Sequence, residues 1–191
     1  MKTKTTTYFS ADHHFGHEGV IRMCGRPYSD AREMDEALVR AWNARVRPVD
    51  TIWFLGDFAM GSSPERCREL FARLNGTKHL VRGNHDGKRV LELPWASQHD
   101  LVQITVGGVR LVLCHYAMRS WNQVWRGSLH LYGHTHNTLP PTTQSCDVGV
   151  DAWDFQPVTL AEIRERLATV DEEPEEMRRA REQGEENGDA A

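Results

Sequence analysis

The hydrophobic pattern in the first half of the chain predicts three strands. Residues 5–11 are rich in β-branched and aromatic side chains, a composition typical of strands. Residues 49–55 and 78–82 are two further apolar runs. Each run stops at a short segment that contains Asp, Asn or His. In open α/β sheets such strand ends lie together, so we expect these polar segments to share one edge.

Two helices are predicted between these strands. Asp30 precedes apolar residues that recur at helical spacing, and Glu follows it three residues later, as in a capping box. This pattern predicts a helix over 31–46. A second helix is predicted over 64–74, because Pro64 provides the proline that first helical turns favour.

The second half of the chain has a different pattern. Residues 101–106 and 109–114 flank a Gly-Gly pair, which is a hairpin signal. Short strands are predicted over 129–132 and near 146–150. A helix is expected to begin after Thr159, which has Glu three residues later.

Length and charge indicate a single domain followed by a tail. The chain has 191 residues, and we expect one domain over residues 1–170. Residues 171–191 contain nine acidic and three basic residues and few large apolar ones, so this segment is expected to be disordered or a frayed helical extension. Without this segment the net charge changes from -4 to +2, so residues 1–170 are nearly neutral, which argues against a large interface with long nucleic acid.

Composition also bears on the compartment. No stretch approaches the roughly 20 apolar residues that a membrane helix needs, and the first ten residues do not read as a secretory signal. The four cysteines show no CxxC spacing, which favours a reducing environment and argues against structural zinc or disulfides. We therefore expect a cytoplasmic protein that does not interact with membranes.

The polar segments at the predicted strand ends contain seven oxygen or imidazole donors and no thiolate. This donor set suits manganese, iron or zinc. Seven donors exceed the four or so that one zinc ion takes, and they match two divalent ions that share a carboxylate and together bind a phosphoryl group. The seven residues are Asp12, His14, Asp57, Asn84, His115, His134 and His136.

The order of these segments resembles the five blocks of the calcineurin-like metallophosphoesterase superfamily. The start of the chain is similar to small bacterial and phage phosphoesterases. The resemblance implies an α/β fold with four αββα layers, in which two mixed sheets pack face to face with helices outside. The matching segments are Asp12-x-His14, Gly56-Asp57, Gly83-Asn84-His85-Asp86, His115 and Gly133-His134-Thr135-His136.

The resemblance also implies a role for each of these residues. One metal ion would be held by Asp12, His14 and His136, and the other by Asn84, His115 and His134. Asp57 would bridge the two ions. His85 would be the catalytic proton donor to the leaving oxygen, while a metal-bridging hydroxide attacks phosphorus. Asp86 would orient His85 or a neighbouring backbone group.

Further residues are candidates for contacting the substrate. Three arginines could bind phosphate oxygens through their guanidinium groups, and one histidine lies close to the first block. Trp121 and Trp125 could stack on a ring, although core packing is the commoner role for such residues. The four substrate-binding candidates are His17, Arg22, Arg26 and Arg119.

The function expected from the resemblance is metal-dependent hydrolysis of a phosphate ester. We favour a phosphodiesterase, because few extra basic residues would neutralise a dianionic monoester. The alternatives are a phosphomonoesterase acting on small molecules or proteins, a nuclease, and a non-catalytic metal-binding scaffold. The expected cofactors are two divalent ions, manganese first and iron or zinc as alternatives. The expected partner is a phosphate-ester substrate, with a nucleotide as one candidate, and no obligate protein partner is evident.

Overall fold

Two mixed β-sheets form the centre of the protein, of which the computed structural model describes residues 5–188. The strands are β1 (Thr7–Ser10), β2 (Thr51–Phe54), β3 (Thr77–Val81), β4 (Ser97–His99), β5 (Leu101–Val106), β6 (Val109–Cys114), β7 (Leu129–Tyr132), β8 (Ser145–Asp147) and β9 (Val158–Thr159).

The strands divide between a five-stranded and a four-stranded sheet. The first has the order β4-β3-β2-β1-β9, in which only the pairing of β9 with β1 is antiparallel. The second has the order β5-β6-β7-β8, in which the β5–β6 hairpin is antiparallel and the other pairs are parallel. The carboxyl ends of β1, β2 and β3 therefore meet at one edge, and those of β6, β7 and β8 at another.

Six α-helices accompany the sheets in the described residues. They are α1 (Glu18–Met23), α2 (Ala31–Arg45), α3 (Pro64–Arg73), α4 (Lys88–Leu91), α5 (Leu160–Leu167) and α6 (Glu175–Gly188). None of the helices in residues 5–188 is long and apolar enough to span a membrane.

Opposite faces of the first sheet belong to different cores. Phe54 and Leu80 pack with Met34 and Trp42 of α2 on one face. Leu55 lies in the core shared with the second sheet, as do Phe9, Val81, Leu113 and Leu131. Alternation along the strands thus directs one set of side chains to the helices and the next set to the partner sheet. The predicted fold of two mixed sheets flanked by helices is confirmed.

The outer face of the second sheet is covered mainly by the connection between β6 and β7. Val112 of β6 packs against Trp121 and Val124 of this connection. Met177 of α6 packs against the same cluster. This connection and the first turn of α6 therefore pack on the outer face of the second sheet.

Helix starts follow the capping pattern of the sequence. The Asp30 side chain accepts a hydrogen bond from Glu33 N, but the Glu33 carboxylate accepts from Ser29 rather than closing a capping box. Thr159 and Glu162 form a complete capping box at α5. Each of the two side-chain caps stabilises its helix by about 1 kcal/mol.

Part of the acidic segment 171–191 forms α6. Its first turn contacts the β6–β7 connection, where Glu175 pairs with Arg119 and Glu176 accepts a 2.8 Å hydrogen bond from Trp125 Nε1. The segment has no apolar periodicity of its own, so its helix is stabilised by these contacts rather than by a sequence signal. The division into a 1–170 domain and a separate tail stays a prediction.

A buried histidine makes stability depend on pH. His130 Nδ1 lies 3.0 Å from Val112 O, and its Nε2 accepts from Met118 N at 3.1 Å. Burial lowers its pKa below the ordinary 6.5, against the raising effect of nearby carbonyl groups. As the pH falls, this histidine is therefore protonated in the unfolded chain at a higher pH than in the folded protein. The stability that neutral His130 contributes is complete above the unfolded pKa and is lost as pH falls below it.

We expect urea unfolding at a series of pH values to show this loss. The contribution of His130 to the free energy of unfolding should fall by at most about 1.4 kcal/mol for each pH unit below about pH 6.5. His130→Gln, compared with the unsubstituted protein in metal-free buffer, should flatten the profile. Identical profiles for the two proteins would contradict this assignment.

Candidate metal centre

The seven candidate ligand residues come together where the two sheets meet. They follow β1, β2 and β3 of the first sheet and β6 and β7 of the second. A parallel bridge between Ala11 and Gly149 joins the ends of the two sheets at this point. Loops from both halves of the chain therefore line one site, as the parallel strand order requires.

The side chains form two groups with the spacing of metal ligands. Donor atoms of Asp12, His14 and His136 lie within 4.8 Å of one another, and we refer to these residues as the first ligand set. Donor atoms of Asp57, His115 and His134 do the same. We refer to His115 and His134, together with Asn84, as the second ligand set.

The Asp57 carboxylate lies between the two sets. Its Oδ2 is 3.5 Å from His14 Nε2 and 3.6 Å from His115 Nε2. Its Oδ1 accepts a 2.8 Å hydrogen bond from the backbone amide of His85. One oxygen thus fixes the orientation of the carboxylate, and the other is presented to both sets at once.

The second ligand set brings acceptor atoms together. Asn84 Oδ1 is 3.0 Å from His115 Nε2 and 3.0 Å from His134 Nδ1. His115 Nδ1 lies 2.7 Å from the carbonyl oxygen of Leu55, to which it donates its proton, so its Nε2 has a free lone pair. The lone pair of His115 Nε2 therefore faces Asn84 Oδ1 at 3.0 Å, and a cation that binds both atoms would stabilise this arrangement.

The first ligand set contains buried polar atoms without a partner. Asp12 Oδ1 and both ring nitrogens of His14 are buried and make no hydrogen bond. Burial, followed by the nearby Asp147 and Asp57 carboxylates, raises the pKa of Asp12. Burial, followed by His136, lowers the pKa of His14 to about 2, so its ring is neutral. A neutral imidazole beside a buried carboxylate oxygen without a hydrogen-bond partner fits a divalent cation, which would compensate the carboxylate charge.

Backbone strain is concentrated in the candidate ligand residues. Five of the seven have a positive φ, a conformation that non-glycine residues adopt infrequently. Such strain persists where surrounding contacts hold it, and it is common at functional sites. The five are Asp12 (57°), His14 (51°), Asp57 (59°), His134 (69°) and His136 (46°).

Two glycines in the motifs permit close approach of the loops. A Cβ atom at Gly83 would lie 2.3 Å from Asp57 Oδ1, and one at Gly133 would lie 2.8 Å from Asp12 Oδ2. Both distances are far below contact distance. The glycine before Asn84 and the glycine before His134 are thus required because the loops pack directly against the two carboxylates.

Asp86 connects the backbones of two ligand loops. Its carboxylate accepts from the amides of Gly83 (2.8 Å), Asp57 (2.9 Å) and Phe58 (2.9 Å). The sequence left open whether Asp86 orients His85 or a backbone group, and these contacts are all with backbone amides. Asp86 therefore holds the Asp57 loop against the Asn84 loop.

We expect Asp86→Asn to lower the free energy of unfolding by about 1–3 kcal/mol, because an NH2 group would face a buried amide that has lost its acceptor. Urea unfolding of the metal-free protein measures this. Asp100→Asn is the matched control, since the Asp100 side chain is 80% exposed. Equal stability of the two variants would contradict the assigned role.

A hydrogen-bonded chain that sequence reasoning missed positions the first ligand set. Asp151 accepts from His136 Nδ1 at 2.6 Å, which leaves His136 Nε2 free for a ligand. Arg26 donates to both oxygens of Asp151 at 2.8 Å and to the carbonyl oxygen of Asp12 at 2.7 Å. Burial opposes ionisation of Asp151, but the bonds from His136 and Arg26 lower its pKa to about 2.

The structure therefore places Arg26 behind the site, although its sequence position suggested phosphate contact. Its side chain is buried among main-chain carbonyl groups and Asp151. Asp147, also missed, accepts from Thr135 Oγ1 and from the amides of Asn137 and Gly149, which fixes the loop that carries His134 and His136. Neither Asp151 nor Asp147 lies in a motif block, so local sequence gave no signal for them.

The other predicted substrate contacts lie in different environments. The His17 ring is 5.5 Å from the His14 ring, at the rim of the first ligand set. Arg22 is exposed on α1, and Arg119 pairs with Glu175 of α6. Trp121 is buried in the cluster over Val112, as the core-packing alternative expected.

His85 lies at the mouth of the site. Its Nε2 is 4.0 Å from Asp57 Oδ2, and its ring centroid is 5.4 Å from that of His14. The side chain is 38% exposed. Asp57 holds the backbone amide of His85, and the partly exposed imidazole lies near both the Asp57 carboxylate and the first ligand set.

Comparison with known proteins agrees with this arrangement. The sequence profile described as the calcineurin-like phosphoesterase superfamily domain matches residues 10–150. That range contains all seven candidate ligands and His85.

Relatives and solved structures extend the comparison. The uncharacterized protein MJ1445 of Methanocaldococcus jannaschii is 30% identical over 161 residues, covering 80% of this chain and 86% of that protein. The gene 66 protein of Mycobacterium phage L5 is 27% identical over 186 residues, covering 78% and 88%. The crystal structure of AQ665 from Aquifex aeolicus, a protein of unknown function, superposes with a TM-score of 0.67 at 22% identity, covering 85% and 99%. This last likeness supports the fold.

Proposed function

Because the chain belongs to the calcineurin-like phosphoesterase superfamily, we propose that its strand-end site binds two divalent ions and hydrolyses a phosphodiester. The observation that carries the proposal is the position of Asp57, whose Oδ2 lies 3.5 Å and 3.6 Å from an imidazole nitrogen of each ligand set. A carboxylate in that position can be shared by two cations. The adjacent donor sets suit manganese first, with iron or zinc as alternatives.

Residues around the proposed ions have separate roles in this reaction. Two bound ions would supply charge to polarise the phosphate oxygens and to activate water. Asp57, fixed by the His85 amide, keeps the two ligand sets in register. His85 stands at the open side, where its imidazole can donate a proton to the leaving oxygen and accept one from solvent afterwards. Asp151 and Asp147 orient His136 and its loop.

We favour a diester over a monoester because of the charge around the site. Two of the three candidate arginines, Arg26 and Arg119, are already paired with carboxylates. A dianionic monoester would demand more positive charge than these residues leave available. A monoesterase, a nuclease and a non-catalytic scaffold stay as alternatives, which the experiment below distinguishes.

The test uses protein stripped of metal and refilled with manganese. We expect hydrolysis of bis(p-nitrophenyl) phosphate to exceed that of p-nitrophenyl phosphate, and chelator to abolish both. A clear preference for the monoester would replace the diesterase proposal with a monoesterase. Binding of two ions without turnover of either ester would favour a scaffold, and salt-sensitive cleavage of single-stranded DNA or RNA would indicate a nuclease.

The proposal also concerns the substrate, the partners and the cellular location of the enzyme. The substrate is a phosphate ester, for which a nucleotide is one candidate, and the proposal needs no protein partner. All four cysteines are free thiols. We therefore infer a reducing, cytoplasmic location.

A further inference from the structure

An exposed aromatic ring stands beside the second ligand set. Tyr116 directly follows His115 and is 47% exposed. Its ring centroid is 4.9 Å from that of His134 and 5.0 Å from that of His115, with interplanar angles of 66° and 74°. One side of the ring thus contacts ligand imidazoles. Much of its apolar area is left for another molecule to cover.

The loop that carries Tyr116 is held from inside the protein. The Met118 amide donates to the buried His130 ring at 3.1 Å. Trp121 is buried, and its Nε1 donates to Ser128 O at 3.2 Å. These contacts fix the chain within a few residues of Tyr116. A ligand that meets this ring therefore meets a loop whose backbone is already held nearby, which limits the entropy cost of ordering the loop.

Trp125, the other exposed aromatic side chain of this loop, is engaged elsewhere. Its Nε1 donates to Glu176 of α6 at 2.8 Å. Trp121 lies in the core. Of the aromatic residues in the β6–β7 connection, Tyr116 is the one that contacts the ligand imidazoles.

The position of Tyr116 relative to His85 indicates which part of a diester it would meet. His85 lies beside the first ligand set, 5.4 Å from His14 between ring centroids. Tyr116 lies beside the second set. If His85 protonates the leaving oxygen, the leaving group lies on the side of His85 and the first ligand set. The side of the second ligand set, where Tyr116 lies, is then open to a substituent that stays on phosphorus.

We propose that Tyr116 forms the wall of a subsite for a flat aromatic substituent that is retained on the phosphate. This proposal rests on the diesterase function proposed above. Aromatic rings attract one another in stacked or edge-to-face arrangements, and a tyrosine accepts many ring types because each has a π-face. Tyr116 is in this view a specificity residue. It selects aryl or nucleobase-bearing diesters over small alkyl diesters.

The first test compares phenyl p-nitrophenyl phosphate with methyl p-nitrophenyl phosphate, which share a leaving group and differ in the retained substituent. In the manganese-loaded protein we expect the phenyl ester to have the lower KM. Tyr116→Ala should reduce the ratio of the methyl KM to the phenyl KM about tenfold, whereas Tyr116→Phe should preserve it. Trp125→Ala is the control for loss of an exposed aromatic ring from the same loop. An unchanged ratio in Tyr116→Ala would overturn the proposal.

A binding measurement separates this proposal from the proposed function. Calorimetric titration of the manganese-loaded protein with phenylphosphonate and methylphosphonate needs no turnover. We expect a phenyl preference that Tyr116→Ala removes, with two ions still bound in the variant. If neither diester is hydrolysed, the diesterase function fails while the phosphonate preference still decides the subsite. A phenyl preference that survives in Tyr116→Ala, or its absence from the unsubstituted protein, would refute the subsite.

Discussion

Asp57→Asn is expected to abolish metal-dependent turnover, with a loss of kcat of at least about a thousandfold. The amide keeps an oxygen to accept the hydrogen bond from His85 N, which Asp57 Oδ1 accepts at 2.8 Å. It replaces Oδ2, the atom between the two ligand sets, with an uncharged NH2 donor that cannot bind a cation. The fold is retained while the shared ligand is lost, so the second ion should bind weakly.

The measurement is the metal content of the purified variant after dialysis, together with its rate on the diester in saturating manganese. Asp100→Asn removes one carboxylate charge from an exposed position and should behave like the unsubstituted protein. Near-normal turnover by Asp57→Asn with two bound ions would show that Asp57 does not bridge them. The proposed role of Asp57 as the shared ligand would then fail.

His85→Ala is expected to reduce kcat by at least about a hundredfold for esters with a poor leaving group. In the described part of the chain the imidazole makes no hydrogen bond that supports the fold: its Nε2 is 4.0 Å from Asp57 Oδ2, and the hydrogen bond to this carboxylate comes from the backbone amide. Its loss should therefore leave metal binding and stability intact. A nitrophenolate leaves without full protonation, so the loss for nitrophenyl esters should be smaller.

This dependence on the leaving group distinguishes proton donation from a role in binding. A series of aryl methyl phosphates with leaving groups of rising pKa gives the slope for the unsubstituted protein and for His85→Ala. We expect the variant to have the steeper slope. His99→Ala, a histidine outside both ligand sets, is the control. Parallel slopes for His85→Ala and the unsubstituted protein would show that His85 does not donate the proton.

The longer elements and the grouping of the ligand residues could be predicted from the sequence because they depend on local signals. The hairpin is predicted by two runs that flank the Gly107-Gly108 pair, and the structure has β5 and β6 with the predicted bounds. The three strand ends of the first sheet carry polar residues that parallel pairing must bring together. The roles of those residues as ligands stay a prediction.

Other features depend on contacts between distant parts of the chain, and the sequence had no signal for them. Strand β9 has two residues and exists because it pairs with β1. Arg26 resembled a phosphate contact because it follows the first block, but its partner Asp151 is 125 residues away. The position of α6 against the β6–β7 connection likewise depends on Glu175 and Glu176 meeting residues more than 50 positions earlier.

The candidate ligands come from loops of both sheets, and this affects the stability of the whole chain. The amide of His134 donates to Asp12 across 122 residues, and an ion held by the first ligand set would cross-link the chain over a similar distance. Such a cross-link would reduce the conformational entropy of an unfolded chain that still binds the ion, as closure of a long loop does. Ion binding and docking of the two sheets would then be thermodynamically linked, so that a bound ion adds to the stability of the metal-free fold. If the candidate site holds its ions in the cell, the supply of metal would affect how long this protein survives proteolysis.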